Sequence, residues 1–111
     1  MSLDPKIAGL LGFAAKSGKL LLGTYSVEQS IRQKRAKLVL VAEDINPKRL
    51  TILHQWCADM EIPFLAVGTK EEYGDMLRKP PLGLLALTED NLVKGIIMAT
   101  KDGTLISSGG E

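Results

Sequence analysis

At 111 residues, with 45% hydrophobic and 24% charged side chains, the chain fits one soluble globular domain, and no apolar run approaches the roughly 20 residues that a membrane span needs. Met1 to Pro5 lack the basic and apolar regions of a secretory signal, and the single cysteine, Cys57, excludes an internal disulfide, which together point to a reducing, cytosolic setting. The net charge of +1 argues against a uniformly basic nucleic-acid protein, yet residues 1–50 hold nine Lys/Arg against four Asp/Glu and residues 51–111 five against nine, so a one-sided basic surface remains available to phosphate.

Asp4 and Pro5 are an N-cap followed by proline at the first helical position, and Ile7, Leu10, Leu11 and Ala14 then recur at helical spacing. This first helix is expected to stop at Gly18. Leu20 to Leu22 read as a short strand, Gly23 as a sharp turn, and Thr24 as the N-cap of a second helix that buries Val27 and Ile31. Tyr25, Gln29 and Arg32 fall on its opposite face, free to bind. The amides at this helix start are unpaired donors suited to an anion such as phosphate.

Lys37 to Ala42 is a strand apolar on both faces, which requires helices on each side of the sheet. Asn46 and Pro47 open a third helix, with Leu50, Leu53, Trp56, Cys57 and Met60 as its apolar stripe. Pro63 to Val67 is another apolar strand. Thr69 to Glu72 has the spacing of a capping box before a fourth helix carrying Tyr73, Met76 and Leu77, slightly weakened by Gly74. Lys79-Pro-Pro81 makes a stiff, extended loop before the strand Gly83 to Leu87, and Glu89 and Asp90 begin a last helix with Leu92, Val93, Ile96 and Ile97. Residues 1–100 therefore form one α/β domain with about four strands between helices, and 101–111, with a turn at Asp102-Gly103, a frayed tail. The pattern leaves strand order open.

Catalytic signals are weak. His54 lies three residues from Cys57, but no orienting third group or oxyanion turn accompanies the pair, so a buried apolar thiol beside a boundary histidine is the simpler reading. Glu43 and Asp44 end a buried strand, a place where magnesium binds in some α/β proteins, but capping of the next helix and turn formation also account for them. The glycines match neither a P-loop nor a dinucleotide fingerprint.

Gly23-Thr-Tyr-Ser26, Ala36-Lys-Leu-Val-Leu-Val-Ala-Glu-Asp44, Cys57, Ile62-Pro63 and Gly68-Thr-Lys-Glu-Glu-Tyr-Gly74 resemble, in order and spacing over about residues 5 to 98, the L7Ae/L30e ribosomal-protein family, most closely its bacterial YlxQ-type members. The resemblance implies a three-layer α-β-α sandwich with a mixed four-stranded sheet, and kink-turn RNA recognition by the start of the second helix and a nearby loop. No cofactor, metal or catalytic residue follows from it. It implies RNA, ribosomal or otherwise structured, and the ribosome as partners; a monomer without membrane attachment is expected.

Carried over by position, Gly23 matches the family glycine, while Tyr25, Ser26 and Gln29 stand where better-known RNA-binding members have Asn, Glu and Lys. A ring and a hydroxyl thus replace the carboxylate that accepts hydrogen bonds from guanine edges. Asn46 and Leu50 match positions that approach splayed bases, Lys79, Pro80, Pro81 and Leu82 match the loop that covers a flipped-out base, and Arg78 replaces the usual glycine before it. Thr24 belongs to the same helix start. Lys16, Lys19, Arg32, Lys34 and Lys37 are expected to add attraction for the RNA backbone. The alternative is a small protein- or metal-binding regulatory module centred on Glu43 and Asp44.

Overall fold

Residues 3–100 and 105–106 are described by a computed structural model. Asp4 accepts a hydrogen bond from the Lys6 amide (2.8 Å) and Pro5 opens helix α1 (Pro5–Lys16), as the sequence signals predict. There follow β1 (Leu20–Leu22), α2 (Thr24–Arg32), β2 (Leu38–Val41), α3 (Pro47–Asp59), β3 (Phe64–Ala66), α4 (Lys70–Leu77), β4 (Leu84–Leu87), α5 (Asp90–Ala99) and the two-residue β5 (Leu105–Ile106).

The strands form one mixed sheet in the order β1-β4-β2-β3-β5. β2 and β3 are parallel, whereas β4 runs antiparallel to both its neighbours, with Leu22 opposite Leu85 on one side and Val41 opposite Leu84 on the other. Side chains alternate along each strand, so Leu38, Leu40, Leu85 and Leu87 enter one core with α1, α4 and α5. Val39, Val41, Leu84 and Ala86 enter the other with Val27, Ile31, Leu53 and Cys57 of α2 and α3. This is the three-layer α-β-α sandwich that the two-faced apolar strand required.

The four expected strands are present, and β5 pairs antiparallel with β3 inside the segment read as a frayed tail. Two apolar residues are too short a run to announce a strand without the partner that orders them. The predicted turn at Asp102-Gly103 and the terminal Ser107 to Gly110 lie outside the described residues.

Helices α1 to α4 end in one way. An amide just past each end reaches back to the carbonyl five residues earlier: Lys19 to Ala14, Arg35 to Ser30, Ile62 to Cys57 and Lys79 to Gly74, at 2.8 to 2.9 Å. This closure puts Gly18, Lys34, Glu61 and Arg78 in the left-handed region, at φ between 56° and 72°. Arg78, at φ 59° and ψ 48°, thus occupies a conformation that glycine adopts without strain.

Thr69 and Glu72 make the predicted capping box, and Glu72 also accepts from the Leu3 amide (2.8 Å), tying the chain's start to α4. Tyr73 is buried and donates its hydroxyl to the Val67 carbonyl at 2.6 Å. Gly74 does more than weaken α4. A β-carbon there would stand 2.8 Å from the Lys79 carbonyl oxygen and 3.0 Å from the Pro80 carbonyl carbon, so its absence lets the diproline loop lie directly on the helix. Ordinarily glycine to alanine inside a helix gains about 1 kcal/mol. Gly74→Ala is expected to reverse that sign and lower stability by about 1 to 3 kcal/mol through overpacking, measurable by urea unfolding.

Candidate nucleic-acid interface

Because β4 opposes its neighbours, the chain ends of β1, β2 and β3 and the beginning of β4 meet at one edge of the sandwich. Main-chain bonds lock the loops there. The Gly23 amide donates to Leu84 (3.0 Å), Ala42 to Gly83 (2.9 Å), Glu43 to Gly68 (2.8 Å) and Leu82 to Lys70 (3.2 Å). Gly83 runs so close to its surroundings that a β-carbon would meet Ile45 Cγ2 at 2.5 Å. The starts of α2 and α3 and the loop before β4 are thereby brought together.

Gly23, not Thr24, is the N-cap of α2. Its φ of 89° and ψ of 166° are open essentially to glycine alone, and no side chain caps the helix. The extended strand leaves the sheet through this one residue, which places Thr24 already inside the first turn. The other four helices are capped by Asp4, Asn46, Thr69 and Glu89. Helix α2 is therefore the one whose first amides lack a side-chain acceptor, and Thr24 and Tyr25 on it are exposed, Tyr25 to 75%. Ser26 and Gln29 are half-buried on the same helix.

Across from it, the exposed Asn46 spends its side-chain oxygen on the Lys48 and Arg49 amides (2.8 and 3.4 Å), which leaves the NH2 group of its amide to donate outward. Leu50 is half-buried one turn on. An ion pair from Arg49 to Glu28 at 2.7 Å joins α3 to α2 across the gap. Pro80 and Pro81 are exposed and Leu82 half-buried, on the extended run that returns from Gly74 toward Lys70; Lys79, also exposed, sits at the far end of that run.

Other predicted residues lie elsewhere. Helix α2 advances about 13 Å over its nine residues, so Arg32 and Lys34 belong to the opposite edge of the sandwich, and Arg32 packs over the Trp56 ring, 5.4 Å from its centroid. Lys19 and Lys37 flank β1 and β2 at that edge, bonded to the end of β4. The cations actually at the loop edge are Lys48 and Arg49 at the start of α3 and Lys70 at the start of α4. Their positions directly after Asn46-Pro47 and Thr69 were a readable signal, since capping motifs fix which end of a helix a residue occupies.

Asp44 has a structural task, and not on the next helix in sequence. Its Oδ1 accepts from the Lys70 amide at 3.0 Å, the first amide of α4 beside its cap Thr69, while Asn46 caps α3. Among the described residues no group of three or more His, Cys, Asp or Glu stands close enough to hold a metal ion. Cys57 is fully buried, which pushes its thiol up to about 12, and His54 stacks on Phe64 at 5.1 Å. The pair offers no nucleophile and base.

The model of the ribosomal protein L7Ae/L30e/S12e/Gadd45 family matches residues 5–97, from the first residue of α1 into α5. The chain belongs to this family. Among its relatives, the large ribosomal subunit protein eL8 of Thermoplasma volcanium is 30% identical over 104 residues, covering 89% of this chain and 86% of its own. The eL8 of Thermoplasma acidophilum is 28% identical over 102 residues, covering 87% and 84%. The fold is shared with a protein of unknown function from Bacillus halodurans (TM-score 0.82, 21% identity, 88% of this chain and 99% of that one). It is shared also with the 15.5kD RNA binding protein of Giardia lamblia (TM-score 0.74, 18% identity, 91% and 92%). The L7Ae/L30e resemblance of the sequence and the sandwich it implied are thus both borne out.

Two outcomes check this local geometry of the L7Ae/L30e domain. Gly23→Ala should cost about 1 to 3 kcal/mol in urea unfolding although a β-carbon meets nothing within 4 Å, because the cost is conformational, while Thr24→Ala should stay within about 0.5 kcal/mol. Cys57 should resist a thiol reagent at mildly alkaline pH in the native protein and react at once after denaturation.

Proposed function

We propose that this L7Ae/L30e-family chain is a non-enzymatic RNA-binding protein that recognises structured, kink-turn-like RNA in ribosome assembly or translation. The observation that carries the reading is the open start of α2, uncapped by any side chain and carrying an exposed tyrosine, at the same edge as the proline loop and the start of α3. The eL8 relatives, named as large-subunit proteins, and the Giardia protein, named as RNA-binding, support it. Ribosomal RNA, or another structured RNA, and the ribosome are the natural partners, met as a monomer in the cytoplasm.

Each residue has a chemical part. The amides of Thr24, Tyr25 and Ser26 donate to a phosphate or a base acceptor, where the helix dipole also favours negative charge. Tyr25 offers a stacking face for an unstacked base, and Leu82 with Pro80 and Pro81 covers another. Asn46 donates its NH2 group to a base edge, beside Leu50. Gln29 adds a neutral donor and acceptor. Lys48 and Lys70 attract the backbone near this edge, while Lys19, Arg32, Lys34 and Lys79 act over longer range. Ser26 is a neutral acceptor where a carboxylate would bind guanine more strongly, so the preference for a kink-turn over other looped RNA is milder than a carboxylate confers.

Binding of kink-turn and plain duplex RNA, measured across a salt series, separates these parts. Tyr25→Ala or Leu82→Ala should cost about 1 to 3 kcal/mol on the looped RNA and leave the duplex almost unchanged. Lys48→Ala and Lys70→Ala should weaken both RNAs alike and flatten the salt dependence, with Lys34→Ala doing so more weakly. Equal losses on both RNAs for Tyr25→Ala, with unchanged circular dichroism, would reduce the site to an electrostatic patch. Absence of binding to either RNA at micromolar concentration would remove the RNA reading altogether.

A further inference from the structure

Phe13 stands 62% exposed on the outer side of α1, in the layer opposite α2. A cleft opens on each flank of it. One, of about 720 Å3, lies between α1 and the end of α4, with Gly9 and Gly12 in its lining and Lys16 and Arg78 beside them. The other, of about 470 Å3, reaches Lys19 and the start of α5 at Glu89. Three cations therefore ring one exposed aromatic. The only carboxylate among the lining residues, Glu89, already accepts from the Leu92 amide at 2.9 Å. Among the described residues Arg49–Glu28 is the one ion pair, so Lys16, Lys19 and Arg78 have no carboxylate partner there.

Gly9 and Gly12 mark the same place. Glycine inside a helix sacrifices stability relative to alanine, and usually close packing explains it. Here a β-carbon on Gly9 or Gly12 would meet nothing within 4 Å, so packing within the chain does not require either glycine. What alanine would take up is the space of the cleft. An exposed ring flanked on both sides by cations fits a nucleotide chain, which carries a phosphate on either side of every base. An acidic peptide is a poorer match, because both walls of the larger cleft are helices whose backbone groups are bonded internally.

We propose that the Phe13 cleft is a second RNA-binding surface, which takes a single-stranded segment by stacking a base on Phe13 and meeting the flanking phosphates with Lys16, Arg78 and Lys19. It rests on the RNA-binding reading above, but it uses a different layer of the fold and a different form of RNA. The protein then holds a folded RNA element at the start of α2 and an adjoining unpaired strand on α1.

The test uses the full chain with labelled decauridine, labelled decaadenosine and a kink-turn RNA lacking single-stranded overhangs. Phe13→Ala should weaken binding of the single strands about tenfold and leave the kink-turn within about twofold, and Tyr25→Ala should do the reverse. The double variant Gly9→Ala with Gly12→Ala should raise the urea midpoint while weakening the single strands, which separates lost binding from lost folding. Single-strand affinity unchanged by both Phe13→Ala and the double glycine variant overturns the proposal, as does tighter competition for the cleft by an acidic phenylalanine-containing peptide. Should the kink-turn bind and neither single strand do so, the cleft proposal falls and the α2 reading stands. Single strands bound through Phe13 without kink-turn binding would uphold the cleft and overturn the α2 reading.

Discussion

The pairing of β4 between β1 and β2, antiparallel to both, is the constraint from which the rest follows. Both β2 and β4 are buried at every residue, so their contacts make the centre of the molecule and commit helices to each face. Direction matters as much as burial. With β4 reversed, the loop that precedes it arrives beside the ends of β1 and β2, and the diproline run is delivered to the starts of α2 and α3. A parallel β4 would carry the same loop to the other edge and leave the exposed tyrosine with nothing opposite.

Rigidity of this edge comes from backbone more than from side chains. Four main-chain bonds join segments far apart in sequence, and glycines stand where any side chain would intervene: Gly23 by its dihedral angles, Gly74 and Gly83 by close approach. A recognition surface made this way is set before a ligand arrives, which lowers the ordering cost of binding. The ion pair from Arg49 to Glu28 adds less than its 2.7 Å length suggests, since both side chains are partly in water, yet it fixes the spacing of α2 and α3 at the candidate site.

Much of this was legible in the residues because helix starts and buried strands are local signals. Asp4-Pro5, Asn46-Pro47 and the box from Thr69 to Glu72 cap the helices they announce, and Leu20 to Leu22 forms a strand with the bounds expected. What escaped reading depends on partners distant in sequence. Thr24 has the composition of a cap, but the turn leaving β1 is anchored to Leu84 and hands that role to Gly23. Asp44 bonds the first amide of α4, 26 residues on, and not the helix that follows it directly. Lys19 and Lys34 look adjacent to the site along the chain and lie at the far edge because a strand and a helix intervene. Leu105 and Ile106 became a strand only through β3. Family resemblance added that the sheet is mixed, while its strand order, left open by the pattern, came only with the structure; the resemblance also pointed to Arg78 as a position favouring glycine, which its left-handed backbone explains.

The central claim is that RNA seats at the edge formed by the start of α2, the start of α3 and the loop before β4. Amide chemical-shift mapping of the labelled protein against an unlabelled kink-turn RNA tests it most directly. The largest shifts should fall on residues 23–29, 46–50 and 82–83, with Lys34 to Lys37 little moved. Largest shifts at Lys19 and at Lys34 to Lys37, with Tyr25 and Leu82 silent, would contradict it and move the RNA to the basic far edge of the sheet.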